Sequence, residues 1–323
     1  MSTILLDVKD LRAYFYVKAG TVKAVDGVTF TLEHGTKMGI VGESGSGKTT
    51  MALAIMRMIR PPGTIQGTIS LDGVDLVTLS GEEMRKARLS QVAMIPQGAM
   101  NCLNPVARVK DQVVDGMFDH GVRMNKSEAK ERVNSLLETV DLSPKVANMY
   151  PHELSGGMKQ RVTVAMAIAL RPKLLIADEP TSALDVVIQR QVMDTITRLQ
   201  KELGVSMILI GHDMGLMAQS VDRLAVMYAG HLAEVGDIRD LFADPQHPYT
   251  KLLISSLPVL GNRGAFHGIP GIPPSVINPP PGCPFYVRCP SRIEDTCEKQ
   301  APEYLETKPG RWVACWLYHG GAK

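Results

Sequence analysis

Gly42-Glu43-Ser44-Gly45-Ser46-Gly47-Lys48-Thr49 is an octet with glycine at its first, fourth and sixth places and a lysine and threonine closing it. It follows the apolar run Met38–Val41 and precedes the helix-favouring run Thr50–Met58, so it reads as the turn from a buried strand into a helix. Such a loop can wrap backbone N–H groups around an anion, because side chains at the glycines would block the approach or forbid the dihedrals. The following helix directs its positive end at the same anion. Lys48 then reaches the β- and γ-phosphates of a nucleotide and Thr49 offers its hydroxyl to Mg²⁺, while Gly42, Ser44, Gly45, Ser46, Gly47 and Thr50 complete the cradle.

Three further short apolar runs, Leu174–Ala177, Met207–Ile210 and Leu224–Met227, have the pattern of parallel strands buried on both faces, which implies an α/β core. Residues 1–36 instead alternate around a turn at Lys18–Gly20, with Val28, Phe30 and Leu32 on one face, as an antiparallel ribbon does. From Gln97 to Arg171 the pattern is mostly helical. Asn125 is a candidate N-cap with Glu128 three residues on, and Ala129, Val133, Leu136, Leu137 and Val140 follow at helical spacing.

A chain of 323 residues with 45% hydrophobic residues can bury a full core. Its 35 basic and 33 acidic residues nearly cancel, so no whole-chain field draws it to nucleic acid. Met1–Asp10 lacks the pattern of an export signal, and the apolar runs fall far short of the roughly 20 residues that cross a bilayer, so a membrane role requires other chains. Without export, the five cysteines read as thiols or metal ligands rather than disulfides. Four of them lie between Cys283 and Cys315, a clustering that marks a separate small module. It is entered through an extended connector at Pro273, Pro274, Pro279, Pro280 and Pro281. Cys102 is expected to pack near Gln97 as a small hydrophobe.

Asp178 closes the apolar run Leu174–Ala177, where an α/β sheet presents its ligand site, and suits a water-bridged Mg²⁺ ligand. Glu179 follows, placed to orient or deprotonate the water that attacks the γ-phosphate. His212 stands in the same way after Met207–Ile210, where an imidazole can hydrogen-bond the γ-phosphate. Ser155 is a candidate N-cap, and Gly156 and Gly157 open a second anion-binding helix terminus.

The stretch Leu154-Ser155-Gly156-Gly157-Met158-Lys159-Gln160, about twenty residues before Asp178, resembles the LSGGxxQ signature of the ABC transporter ATPases. That resemblance implies a P-loop NTPase (RecA-like) α/β core with an antiparallel β subdomain, an inserted α-helical subdomain at about 98–171 and a small Cys/Pro-rich C-terminal extension. It implies ATP hydrolysis by a head-to-tail dimer, in which Ser155, Gly156, Gly157 and Gln160 meet ATP held by the partner's phosphate loop. Gln97 resembles the glutamine that senses Mg²⁺ and couples to the membrane subunit, and Ser182-Ala183-Leu184-Asp185 resembles the D-loop. Phe15, flanked by Tyr14 and Tyr16, falls where the family stacks an aromatic on adenine.

Asn101-Cys102-Leu103-Asn104-Pro105, Tyr150–Ser155 and His247-Pro248-Tyr249-Thr250 are similar to the dipeptide, oligopeptide and nickel importer ATPases. The resemblance implies a cassette at 1–240 and an importer-type extension at 241–323. It implies a second ATPase subunit (a paralogue, or an identical chain), two permease subunits, a solute-binding protein, and a place on the cytoplasmic face of the membrane. Cys283, Cys289, Cys297 and Cys315 are separated by five, seven and seventeen residues, unlike the tight ligand pairs of structural zinc. The related importers carry a cysteine-rich tail of this kind, so a [4Fe–4S] cluster is expected, with zinc as the alternative. A soluble ABC switch of repair or translation is the competing class. The single phosphate loop and the missing heptad insertion weigh against it.

Overall fold

The computed structural model describes residues 3–98, 101–182, 184–257 and 268–319. The chain divides into two compact units, one of residues 1–78 with 210–323 and one of residues 79–209.

In the first unit, β1 (Ile4–Val17) and β2 (Gly20–Glu33) form the expected ribbon. Its register sets Val28 opposite Leu11, Phe30 opposite Val8 and Leu32 opposite Leu6, so the alternating face is buried. The ribbon is wider than the alternation indicated. β4 (Gly63–Leu71) adds to the other edge of β1, and β5 (Val74–Asp75) to β4. β3 (Lys37–Val41) pairs in parallel with β9 (Arg223–Tyr228), which pairs antiparallel with β10 (His231–Asp237). α1 (Lys48–Ile55), α7 (Met214–Ser220), α8 (Ile238–Ala243) and α9 (Pro248–Ser255) complete the unit with the extension.

The cysteine segment is not the separate module that clustering suggested. β11 (Leu305–Lys308) pairs with β12 (Arg311–Val313), and β12 adds to the free edge of β10, so the tail shares the sheet of β3 and β9. A buried ion pair fixes this join. Arg311 Nη2 lies 3.0 Å from Glu234 Oε1, with the two side chains 3% and 0% exposed. Glu234 also accepts the N–H groups of Gln246 and His247. The proline run behaves as the expected connector and lies along the ribbon, with Lys23 N donating to Val276 O at 2.9 Å.

In the second unit, β6 (Val92–Ile95) and β7 (Leu174–Asp178) are parallel neighbours, with β8 (Ser206–Ile210) beside β7. The helices are α2 (Gly81–Ala87), α3 (Val109–Asp119), α4 (Lys126–Thr139), α5 (Gly156–Ala167) and α6 (Val186–Leu203). Asn125 and Glu128 form the anticipated capping box of α4, and Val133, Leu136, Leu137 and Val140 are buried.

Breaking a buried pair by removing one partner costs about 3–5 kcal/mol. Arg311→Ala should therefore destabilise the extension by that order. The only two tryptophans, Trp312 and Trp316, both lie in the extension and report its unfolding in urea. A loss below about 1 kcal/mol would show that the pair does not hold the join.

Candidate functional site

The octet forms the turn between β3 and α1 and is pressed between two backbones. A Cβ on Gly42 (φ 155°) would lie 2.2 Å from Met227 O of β9, and one on Gly47 (φ 103°) 2.2 Å from Ala24 O of β2. No side chain caps α1, so its first-turn N–H groups are left for a ligand. Lys48 is buried and folds across the loop, its Nζ donating to Gly42 O at 2.8 Å, Glu43 O at 2.9 Å and Ser46 Oγ at 3.4 Å. Ser44 and Gly45 are exposed, Ser46 is buried, and Thr49 and Thr50 sit half-buried on the first turn.

Two contacts to this loop went unforeseen. Glu43 N donates to Tyr249 Oη at 2.9 Å, and the Glu43 carboxylate is held by both Nη atoms of Arg288, at 2.8 and 2.9 Å. The His247–Thr250 stretch thereby gains a physical role. His247 Nδ1 accepts the Tyr249 N–H and caps α9, Pro248 opens it, and Tyr249 braces the loop. Burial pulls the His247 imidazole down to about 3, so it stays neutral.

Of the three neighbouring aromatics, Tyr14 Oη donates to Asp26, and Tyr16 is exposed. Phe15 is half-buried in β1, between Val22 of β2 and Gly63 of β4. His212 is exposed just beyond β8.

In the second unit Asp178 ends β7 fully buried. Glu179 adopts φ 44°, a left-handed conformation that costs a residue with a Cβ roughly 1–2 kcal/mol. Strain of this kind is kept where a side chain must point one way. Gln97 Nε2 donates to Glu179 Oε2 at 2.8 Å, so two residues assigned separate tasks from sequence are joined. At the head of α5, Ser155 is exposed and its Oγ accepts the Met158 N–H, confirming the N-cap. Gly157 lies against Ile188, whose Cγ2 would stand 2.6 Å from an added Cβ. Gln160 is buried on the inner face of α5. Asp185 caps α6 through the N–H groups of Val187 and Ile188, while Ala183 of the anticipated D-loop lies outside the described residues.

Cys283, Cys289, Cys297 and Cys315 line one small cavity with Phe285, Tyr286 and Trp316. Ile293 N donates to Cys297 Sγ at 3.3 Å. Burial pushes the Cys283 thiol up to about 12 and the Cys315 thiol up to about 11. Four cysteines on one cavity have the composition of a thiolate site. Among the described residues no group of three or more His, Cys, Asp or Glu could hold a metal ion, so the expected metal centre is not preformed. Cys102 is exposed rather than packed, because Leu103 takes the buried position beside it.

A family model described as "ABC transporter" matches residues 25–182, and one described as "Oligopeptide/dipeptide transporter, C-terminal region" matches residues 233–297. The chain is 44% identical over 326 residues to the oligopeptide transport ATP-binding protein OppD of Bacillus subtilis, covering 99% of this chain and 90% of that one. The chain belongs to the ABC transporter family. The dipeptide transport ATP-binding protein DppD of Caldanaerobacter subterraneus is 41% identical, over 99% of this chain and 98% of its own. Among solved structures, the dimeric post-hydrolysis state of the ATP-binding cassette MJ0796 with ADP and Pi superposes with a TM-score of 0.66. It is 26% identical over 73% of this chain and 99% of that chain. The fold is the mixed α/β ABC cassette, and the protein is the ATP-hydrolysing subunit of an ABC importer.

Because the loop has no room at Gly47, Gly47→Ala overpacks it at a cost of about 1–3 kcal/mol. ATP affinity measured by calorimetric titration should fall about tenfold or more. Unchanged affinity would mean that the loop adjusts freely.

Proposed function

We propose that this chain energises the uptake of di- and oligopeptides, or a closely related solute, by ATP-driven closure of a head-to-tail pair of cassettes. The cargo reading rests on the names of its relatives and on the second family match. The observation that carries the mechanism is the Gln97–Glu179 hydrogen bond, which ties the catalytic carboxylate to the entry of the helical region. A change at Gln97 is thereby felt at the hydrolytic carboxylate, which is what coupling hydrolysis to a permease requires.

In this reading the backbone of residues 42–47, with Lys48 and Thr50, holds the phosphates, and Phe15 stacks on adenine. Mg²⁺ is held through Thr49, Gln97 and Asp178. Glu179 orients the attacking water and takes its proton, and His212 contacts the γ-phosphate. Ser155, Gly156, Gly157 and Gln160 of one cassette complete the site of the other, so ATP binding favours the closed pair and hydrolysis releases it. The exposed apolar pair Val186 and Val187, beside the D-loop, supports burial against a second cassette, a paralogue or an identical chain.

We take residues 1–240 as the cassette, with its helical subdomain at about 98–171, and 241–323 as the importer-type extension. Among the described residues no helix is long and apolar enough to cross a membrane. We take attachment to the cytoplasmic membrane face to run through two permease subunits, which receive solute from a solute-binding protein. Cys283, Cys289, Cys297 and Cys315 would hold a [4Fe–4S] cluster, supported by the cavity that all four line. A bound cluster would cross-link a tail too small to build much core of its own.

Two measurements check this reading. Glu179→Gln should keep ATP binding, trap the closed pair and lower turnover at least about a hundredfold. Near-normal phosphate release would remove Glu179 from the catalytic role. Anaerobically purified chain should carry about four irons and four acid-labile sulfides, lost in Cys297→Ser, whereas one zinc or no metal would refute the cluster.

A further inference from the structure

Arg288 lies in the single 3₁₀ turn Tyr286–Arg288, inside the cysteine segment and next to Cys289, yet its guanidinium ends at the phosphate loop. The side chain is 4% exposed. All five of its N–H bonds have acceptors. Nε donates to Pro270 O at 2.8 Å; Nη1 to Glu43 Oε2 at 2.8 Å and Tyr228 Oη at 3.1 Å; Nη2 to Glu43 Oε1 at 2.9 Å and Ile269 O at 3.2 Å. A guanidinium satisfied at every donor, and bidentate to a carboxylate, permits one geometry only.

The other end of this contact is equally constrained. Glu43 gives its N–H to Tyr249, its carbonyl to Lys48 and its carboxylate to Arg288, so the second residue of the cradle is held at three points. Behind them Tyr228, Tyr249 and Phe285 form one aromatic cluster, with centroids 4.6 to 5.3 Å apart. Phe285 also lines the four-cysteine cavity. Tyr228 comes from β9 and Tyr249 from α9, so the cluster joins the cassette sheet, the HPYT stretch and the cysteine segment. A displacement of the turn that carries Arg288 and Cys289 must move Glu43, break the ion pair, or leave a buried charge unpaired.

We propose that Arg288 is a positioning residue for nucleotide binding, through which the folded state of the four-cysteine segment sets the shape of the phosphate loop. ATP and an ordered cysteine segment then favour one another reciprocally, as any two linked sites must. The proposal rests on the reading of residues 42–49 as the ATP cradle. It does not depend on which metal, if any, the cysteines hold.

The test uses the full chain and ATP as the probe. Arg288→Met keeps the length of the stem and removes the charge. It should weaken ATP binding about tenfold, raising KM for ATP more than it lowers kcat. Arg288→Lys should recover only part of this, since a single ammonium cannot match both carboxylate oxygens. Glu43→Gln reads the same contact from the loop. The double variant should bind ATP no more weakly than the weaker single variant. ATP should also slow the urea-driven loss of Trp312 and Trp316 fluorescence in the unaltered chain, and do so less in Arg288→Met. If Arg288→Met does not fold, Glu43→Gln and Tyr249→Phe carry the test. Losses that multiply in the double variant, or ATP affinity and tryptophan protection that ignore Arg288→Met, overturn the proposal alone. Failure of the unaltered chain to bind ATP overturns the cradle reading and this proposal with it.

Discussion

Everything at the nucleotide end of this protein depends on the close approach of the phosphate loop to two backbone carbonyls, Met227 O and Ala24 O. A loop that offers N–H groups to an anion must hold a curved backbone without side-chain support, and the missing rigidity has to come from its surroundings. β9 supplies one wall and the ribbon strand β2 the other. The parallel register of β3 on β9, Val41 opposite Val226, delivers the chain to that position. The antiparallel subdomain is thus a wall of the site.

The third support comes from much farther along the chain. Tyr249 and Arg288 meet Glu43 from α9 and from the cysteine segment. That segment is held to the sheet by β12 and the buried Glu234–Arg311 pair. The extension is continuous with the sheet that carries the loop, and its integrity is a condition of the loop's geometry.

What the sequence disclosed follows from how local each signal is. The octet, the caps at Asn125 and Ser155 and the buried strands are readable because glycine placement, capping and apolar runs act within a few residues. The Glu43–Arg288 contact spans 245 positions and the Gln97–Glu179 contact 82, and no spacing rule foretells either. β11 and β12 escaped notice because their short, largely polar sequences become strands only against the edge of β10. The clustering of cysteines truly marked a common cavity but misled on independence, because proline and cysteine content says nothing about which edge a segment joins. The left-handed backbone at Glu179 is likewise a tertiary effect, imposed on a residue that would avoid it alone.

Calorimetric titration of the purified chain with ATP, ADP and AMP reads whether binding energy is drawn from phosphates lying in the loop of residues 42–49. One site per chain is expected for ATP and for ADP, with AMP, which lacks the β- and γ-phosphates, bound at least about tenfold more weakly. Equal affinity for all three would place the binding energy on the base and sugar and rule out the loop as its source.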